Sequence, residues 1–159
     1  MTKEQKLISV AIKEVGYSET PANSNRTKYG AWFGLDGLPW CGIFISWVYW
    51  TAGYPLGNIG YLKGFAGCQT AVAYFRKHGA IVTDPMPGDL AFFDWNNDGR
   101  HDHVGMFSKN LSADEFESIE GNTSLTNQSN GGSVMARYRK TSTTLFARPS
   151  LVPKPTQTP

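Results

Sequence analysis

The sequence predicts an α+β domain in which N-terminal helices pack on an antiparallel β-sheet, and two observations carry that reading. Up to about His78, apolar residues recur at helical spacing. Beyond the turn "DPMPGD" the period drops toward two, in the short runs "LAFFDW", "HVGMFSK", "FESIEGN", "VMARYRK" and "LFARP". Helices first and strands afterwards is the pattern of segregated layers, as opposed to alternating βαβ units. No internal repeat is present, and 159 residues suit one domain with a proper core. We place that domain at residues 1–149.

Each element has a local cause. Leu7, Ile8, Ala11, Ile12 and Val15 mark a packing helix, with Thr2 placed to cap its start and Gly16 to stop it. Pro21 to Gly34 reads as a polar loop followed by a short helix within "NRTKYGAWFG". Gly37 and Pro39 then force a turn, and Pro39 pre-sets the helix that Cys41 heads. Ile43, Phe44, Ile45, Trp47, Val48 and Trp50 are apolar nearly all round, as in a helix buried on most faces. A further helix is expected from Gln69 to His78, closed by Gly79 in the left-handed conformation. The five runs quoted above supply the strands. Residues 150–159, rich in Pro and Thr, read as the start of an extended linker to an absent domain.

Several function classes are disfavoured by bulk properties. Fifteen Lys and Arg against thirteen Asp and Glu leave a formal charge of +2, too little for a uniform field that grips nucleic acid. The apolar run around Ile43 is far shorter than the roughly 20 residues a bilayer crossing needs. The amino terminus lacks the pattern of a secretory signal, so synthesis in a cytosol is expected. Two cysteines, Cys41 and Cys68, make no disulfide framework, and a reducing compartment would keep both as thiols.

A thiol at the first turn of a helix sits where the dipole and free N–H groups favour thiolate. Such a nucleophile requires a base, and the base requires a group that holds its tautomer. Of three histidines, His78 falls in the last turn of a helix and suits carbonyl capping, and His101 lies within an acidic loop. His103 opens a strand and shares a face with Gly105 and Phe107, the glycine leaving room beside the ring. Ser118, Glu120 and Asn122 share a face of the next strand, so either Glu120 or Asn122 can accept the second imidazole N–H. Cys68, with Val72 and Phe75 on its helix, is expected to face inward and stay inert. Trp40 and Trp95 flank the site in sequence and are weighed as groove walls or as packing.

The blocks "PWCGIFISWV", "PGDLAFFDW", "DHVGMF" and "IEGNT", in this order, resemble the signature of the CHAP family of cysteine, histidine-dependent amidohydrolases/peptidases, over about Asn23 to Arg148. The resemblance implies a papain-like fold, with Cys41 as nucleophile, His103 as general base, Glu120 as its orienter and Asn122 as an auxiliary polar group. No upstream side-chain donor for an oxyanion hole is identifiable. The implied substrate is bacterial peptidoglycan, cut at an amide bond. N-acetylmuramoyl-L-alanine amidase activity, in the catalytic module of a phage endolysin, is the leading expectation, and stem or cross-bridge endopeptidase the alternative. Other classes weighed are a noncatalytic calcium-dependent wall-binding module and a general thiol protease. The module is expected to be a monomer, made in the host cytoplasm and acting on the wall.

The stretch "DWNNDGRHDH" adds an expected calcium ion. Asp94, Asn96 and Asp98 follow the D-x-N-x-D-G spacing, with Gly99 at the sharp turn, Arg100 offering its carbonyl and Asp102 ligating directly or through water. Gly105 stands where such loops carry a bidentate Glu, which lowers the expected affinity.

Overall fold

A computed structural model describes residues 1–151, with four helices followed by a six-stranded antiparallel sheet. The Pro/Thr-rich stretch read as a linker lies, apart from Ser150 and Leu151, outside the described residues. Helix α1 (Lys3–Lys13) starts on a capping box in which Thr2 and Gln5 exchange side-chain and backbone hydrogen bonds. Helix α2 (Lys28–Phe33) is capped by Thr27 and closed by Gly34 in the left-handed region. Helix α3 (Cys41–Thr51) buries most of its surface, as its all-round apolar pattern predicts. Helix α4 runs Cys68–Lys77, so Cys68 heads a second helix and His78 caps it, its Nδ1 lying 2.8 Å from the Tyr74 carbonyl.

The strands are β1 (Ile81–Val82), β2 (Leu90–Phe93), β3 (His103–Ser112), β4 (Glu115–Thr123), β5 (Ser133–Lys140) and β6 (Thr144–Ala147). Their order in the sheet is β1-β6-β2-β3-β4-β5, so β5 is an edge and β6 is interior. β1 goes unpredicted: two residues carry no periodicity, and only pairing with β6 makes Ile81 and Val82 a strand.

Alternation along the strands gives the sheet two unlike faces. Leu90, Phe92, Val104, Met106 and Ile119 turn to the helices and share the main core with Leu7, Phe44, Ile45 and Phe75. Gly121 also faces α3, where an added Cβ would lie 2.6 Å from that of Phe44. The opposite face gathers Ala91, Phe93, Phe107, Phe116 and Phe146 in a separate aromatic cluster, with Trp95 packed against it. No helix of the described residues is long and apolar enough to cross a membrane.

Candidate active site

Cys41 owes its position to what precedes and follows it. Trp40 has no side chain able to cap, α3 carries no N-terminal side-chain hydrogen bond and no acidic residue in its first turn, and its first N–H groups therefore lack both kinds of partner. Where α1 is closed by Thr2, α3 leaves its positive end to the thiol. Gly42 allows the helix start to press on residues 65–66, since a Cβ there would lie 2.7 Å from the Ala66 carbonyl oxygen and 2.9 Å from the Phe65 ring. That contact brings the head of α4 to the head of α3. Cys68 is accordingly buried beside Cys41: it faces inward, as its helical neighbours predict, and its thiol is a partner of the nucleophile, which the sequence did not indicate.

His103 begins β3 and is fully buried, as is Glu120 on β4. The His103 Nε2 lies 2.9 Å from Glu120 Oε1. Its Nδ1 has no hydrogen-bond partner of ordinary geometry, and Cys41 is the group it interacts with. Gly105 makes the arrangement fit: a Cβ at this position would stand 2.1 Å from Ser118 Oγ and 2.6 Å from Glu120 Cγ. Phe93 and Trp95 stack on the imidazole with centroids 6.0 and 5.8 Å away.

Arg139, on β5, completes the cluster and was missed from sequence. Its Nε donates to Glu120 Oε2 at 2.8 Å, its Nη2 to Oε1 at 2.7 Å, and its Nη1 to Gln128 Oε1 at 2.8 Å. The guanidinium lies over the rings of Trp95 and Phe93, 4.7 and 5.2 Å from their centroids. Strand alternation held the clue, because a carboxylate buried on one strand calls for a cation nearby, and Arg139 falls on the Glu120 face of its neighbour.

Ionisation follows from these contacts. The Cys68 thiol and, after the opposing pull of burial, the His103 ring hold the Cys41 thiol well below the usual range. Cys68 is pushed the other way, because its proton is held in the hydrogen bond to Cys41 and burial adds to the effect. Burial works to strip His103 of its proton, yet Cys41 and Glu120 outweigh it and raise the ring to about 9. Burial likewise favours neutral Glu120, but Arg139 and then His103 keep it below the usual carboxylate range. The balance is a thiolate facing an imidazolium.

Two residues singled out from sequence are engaged with partners outside the relay. Asn122 is buried with φ 57°, at an irregularity in the β4–β5 register. Its side chain donates to Asn130 Oδ1 and accepts from the Gly132 N–H, so it shapes the β4–β5 connection and Glu120 alone takes the imidazole N–H. Trp40 has no exposed surface: it stacks on Tyr29 and its Nε1 donates to Glu19 Oε1, which makes it core and not a groove wall. Trp95 is half-buried and roofs both His103 and Arg139.

The acidic loop holds itself together. Asp94 accepts the N–H groups of Asp98 and Gly99 through its two oxygens, Asp98 accepts from the Arg100 N–H and from Asn96, and the Asp102 N–H bonds the Phe93 carbonyl. Among the described residues no group of three or more His, Cys, Asp or Glu side chains is arranged to hold a metal ion.

The family model described as CHAP domain matches residues 33–122, more than half the chain and the whole of Cys41, His103 and Glu120. The chain belongs to the CHAP domain family. A search of curated proteins returns no match to it. As a CHAP domain it is a peptidoglycan hydrolase of the amidase or peptidase kind, dependent on cysteine and histidine. The buried CHAP site described above supplies one of each, with the ionisation of each favoured by the other.

Proposed function

We propose that this CHAP domain cleaves a peptidoglycan amide by acyl transfer through Cys41, and the single observation that carries the reading is the buried relay Cys41–His103–Glu120 with the imidazole fixed by a 2.9 Å hydrogen bond. Cys41 Sγ attacks the amide carbonyl, and the N–H groups at the uncapped start of α3 stabilise the oxyanion. The His103 Nδ1 proton passes to the departing amine as the C–N bond breaks, leaving a thioester. Water then gives a proton to the neutral imidazole, attacks the thioester and restores the thiolate–imidazolium pair. Glu120 holds the ring throughout. Purified cell walls should clear with the wild type and stay turbid with Cys41→Ala; equal clearing by both would overturn Cys41 as nucleophile, and no clearing by either would favour a wall-binding module that does not cut.

The bond we assign is N-acetylmuramoyl-L-alanine, with a stem or cross-bridge peptide bond as the second reading, since each releases an amine from an amide. Mass spectrometry of the digest separates them: new amino groups on cross-bridge residues with muramoyl-alanine intact would overturn the assignment. We assign the domain to a phage lysin. Calcium at the Asp94–Asp102 loop is a separate proposal, supported by the D-x-N-x-D-G spacing and requiring Asp98 and Asp102 to turn in beside Asp94. Titration calorimetry with calcium checks it, and no binding heat at millimolar ion would end it.

A further inference from the structure

We propose that Arg139 is a positioning residue of the hydrolytic site, gripping both oxygens of Glu120 so that this carboxylate stays ionised and fixed and His103 keeps the charge and orientation that Cys41 requires. The inference rests on the assignment of Cys41, His103 and Glu120 as the reacting relay.

Three features argue for more than a surface ion pair. Arg139 is only 6 % exposed and Glu120 is 0 % exposed, so neither charge is stabilised by water. The planar fork engages both carboxylate oxygens, and Oε1 is shared between Arg139 and His103, so the fork sets the angle at which Glu120 meets the ring. Trp95 covers Arg139 and His103 together, placing both cations under one aromatic roof.

The titratable and charged groups that face this cluster come from every element packed on it. Cys41 comes from α3, Cys68 from α4, His103 from β3, Arg137 and Arg139 from β5, and Asp102 from the loop before β3. Thiolate and carboxylate are balanced by imidazolium and guanidinium. Arg137 cannot substitute, because its Nη1 is engaged with Thr123 Oγ1 and the Ser124 carbonyl. Without Arg139 the buried set carries one excess negative charge, and burial then drives Glu120 or Cys41 to take up a proton at a pH where both are ionised in the intact site. The acid limb of reactivity is the quantity that must move.

The test uses Arg139→Gln and Arg139→Lys. Two pH profiles are recorded: alkylation of Cys41 by iodoacetamide, with the adduct located on the Cys41 peptide, and kcat/KM on purified peptidoglycan. Arg139→Gln should move the acid limb of both upward by about one pH unit or more. Arg139→Lys, keeping charge but not the fork, should hold the acid limb and lower the kcat plateau about tenfold. In a Glu120→Gln background, Arg139→Gln should cost less than about threefold further, because the two act as one unit. A uniform fall at every pH with unmoved limbs, full additivity with Glu120→Gln, or a lysine variant with wild-type kcat would each overturn the proposal. Should Arg139→Gln fail to fold, the lysine plateau decides alone. Alkylation needs no wall substrate, so an upward shift there without any wall cleavage would sink the substrate assignment and leave the role of Arg139 standing.

Discussion

The two faces of the sheet are built by the same strands and are held by different physics. Toward the helices, Val104, Met106 and Ile119 meet Phe44 and Ile45 in an apolar core that carries Cys41 at its margin. Away from them, the residues one step along, His103, Glu120 and Arg139, carry full charges among Phe93, Phe107 and Phe116. The first face tolerates volume changes and loses stability by degrees, because dispersion and burial are summed over many contacts. The second depends on a few directional contacts, each of which fails outright when one partner is removed. On β3 and β4 the two faces are thereby one residue apart, His103 beside Val104 and Glu120 beside Ile119.

The sharpest break of that comparison is His103→Gln, which should lower wall clearing by about 10²-fold or more and move the melting temperature much less. A proportionate loss of both, by calorimetry and turbidity, would mean that the charged face is a stability element first. Phe44→Ala is the mirror experiment, removing a fully buried ring of the helix-facing core at a cost of about 3–5 kcal/mol in denaturant unfolding. Specific activity per folded molecule should hardly change, and a large fall would show the two faces to be coupled through α3.

Gly105→Ala is a smaller perturbation and acts only on the charged face. Its methyl must displace Ser118 Oγ and Glu120 Cγ, at about 1–3 kcal/mol. Activity should fall further than stability accounts for, and Ser118→Gly in the same chain should recover part of both. The smallest effect is that of pH. His103 gains its proton affinity on folding, so the stabilisation it brings is fully present below the unfolded value near 6.5 and is lost as pH rises through about 9. Activity should fall about tenfold per unit above that point as the imidazolium is lost, and a basic limb below pH 7 would contradict the buried pair.

How far the sequence disclosed this depends on the range of the signal. Cys41 at a helix start and His103 with Glu120 on strand faces are local statements, read from period and from a Pro-containing turn, and the geometry brings those three together. What went unread is long-range. Arg139 stands in "VMARYRK" beside Arg137 and Lys140 and reads as solvated charge until β5 is paired with β4. Cys68 meets Cys41 only because Gly42 lets two helix heads approach. Asn122 was placed by strict alternation, which its left-handed backbone interrupts. Trp40 lies next to the nucleophile in the chain, yet its ring turns back to Tyr29 and Glu19.

The position of β6 bears on how such an enzyme comes into being. Thr144–Ala147 pairs with β1 on one side and β2 on the other, so the last of the described strands is laid into the middle of the sheet. A nascent chain halted anywhere before residue 144 holds Cys41, His103 and Glu120 but leaves β2 with an open edge and β1 with no partner. The strands that carry the site therefore gain a closed neighbour on the β2 side only when residues 144–147 are in place.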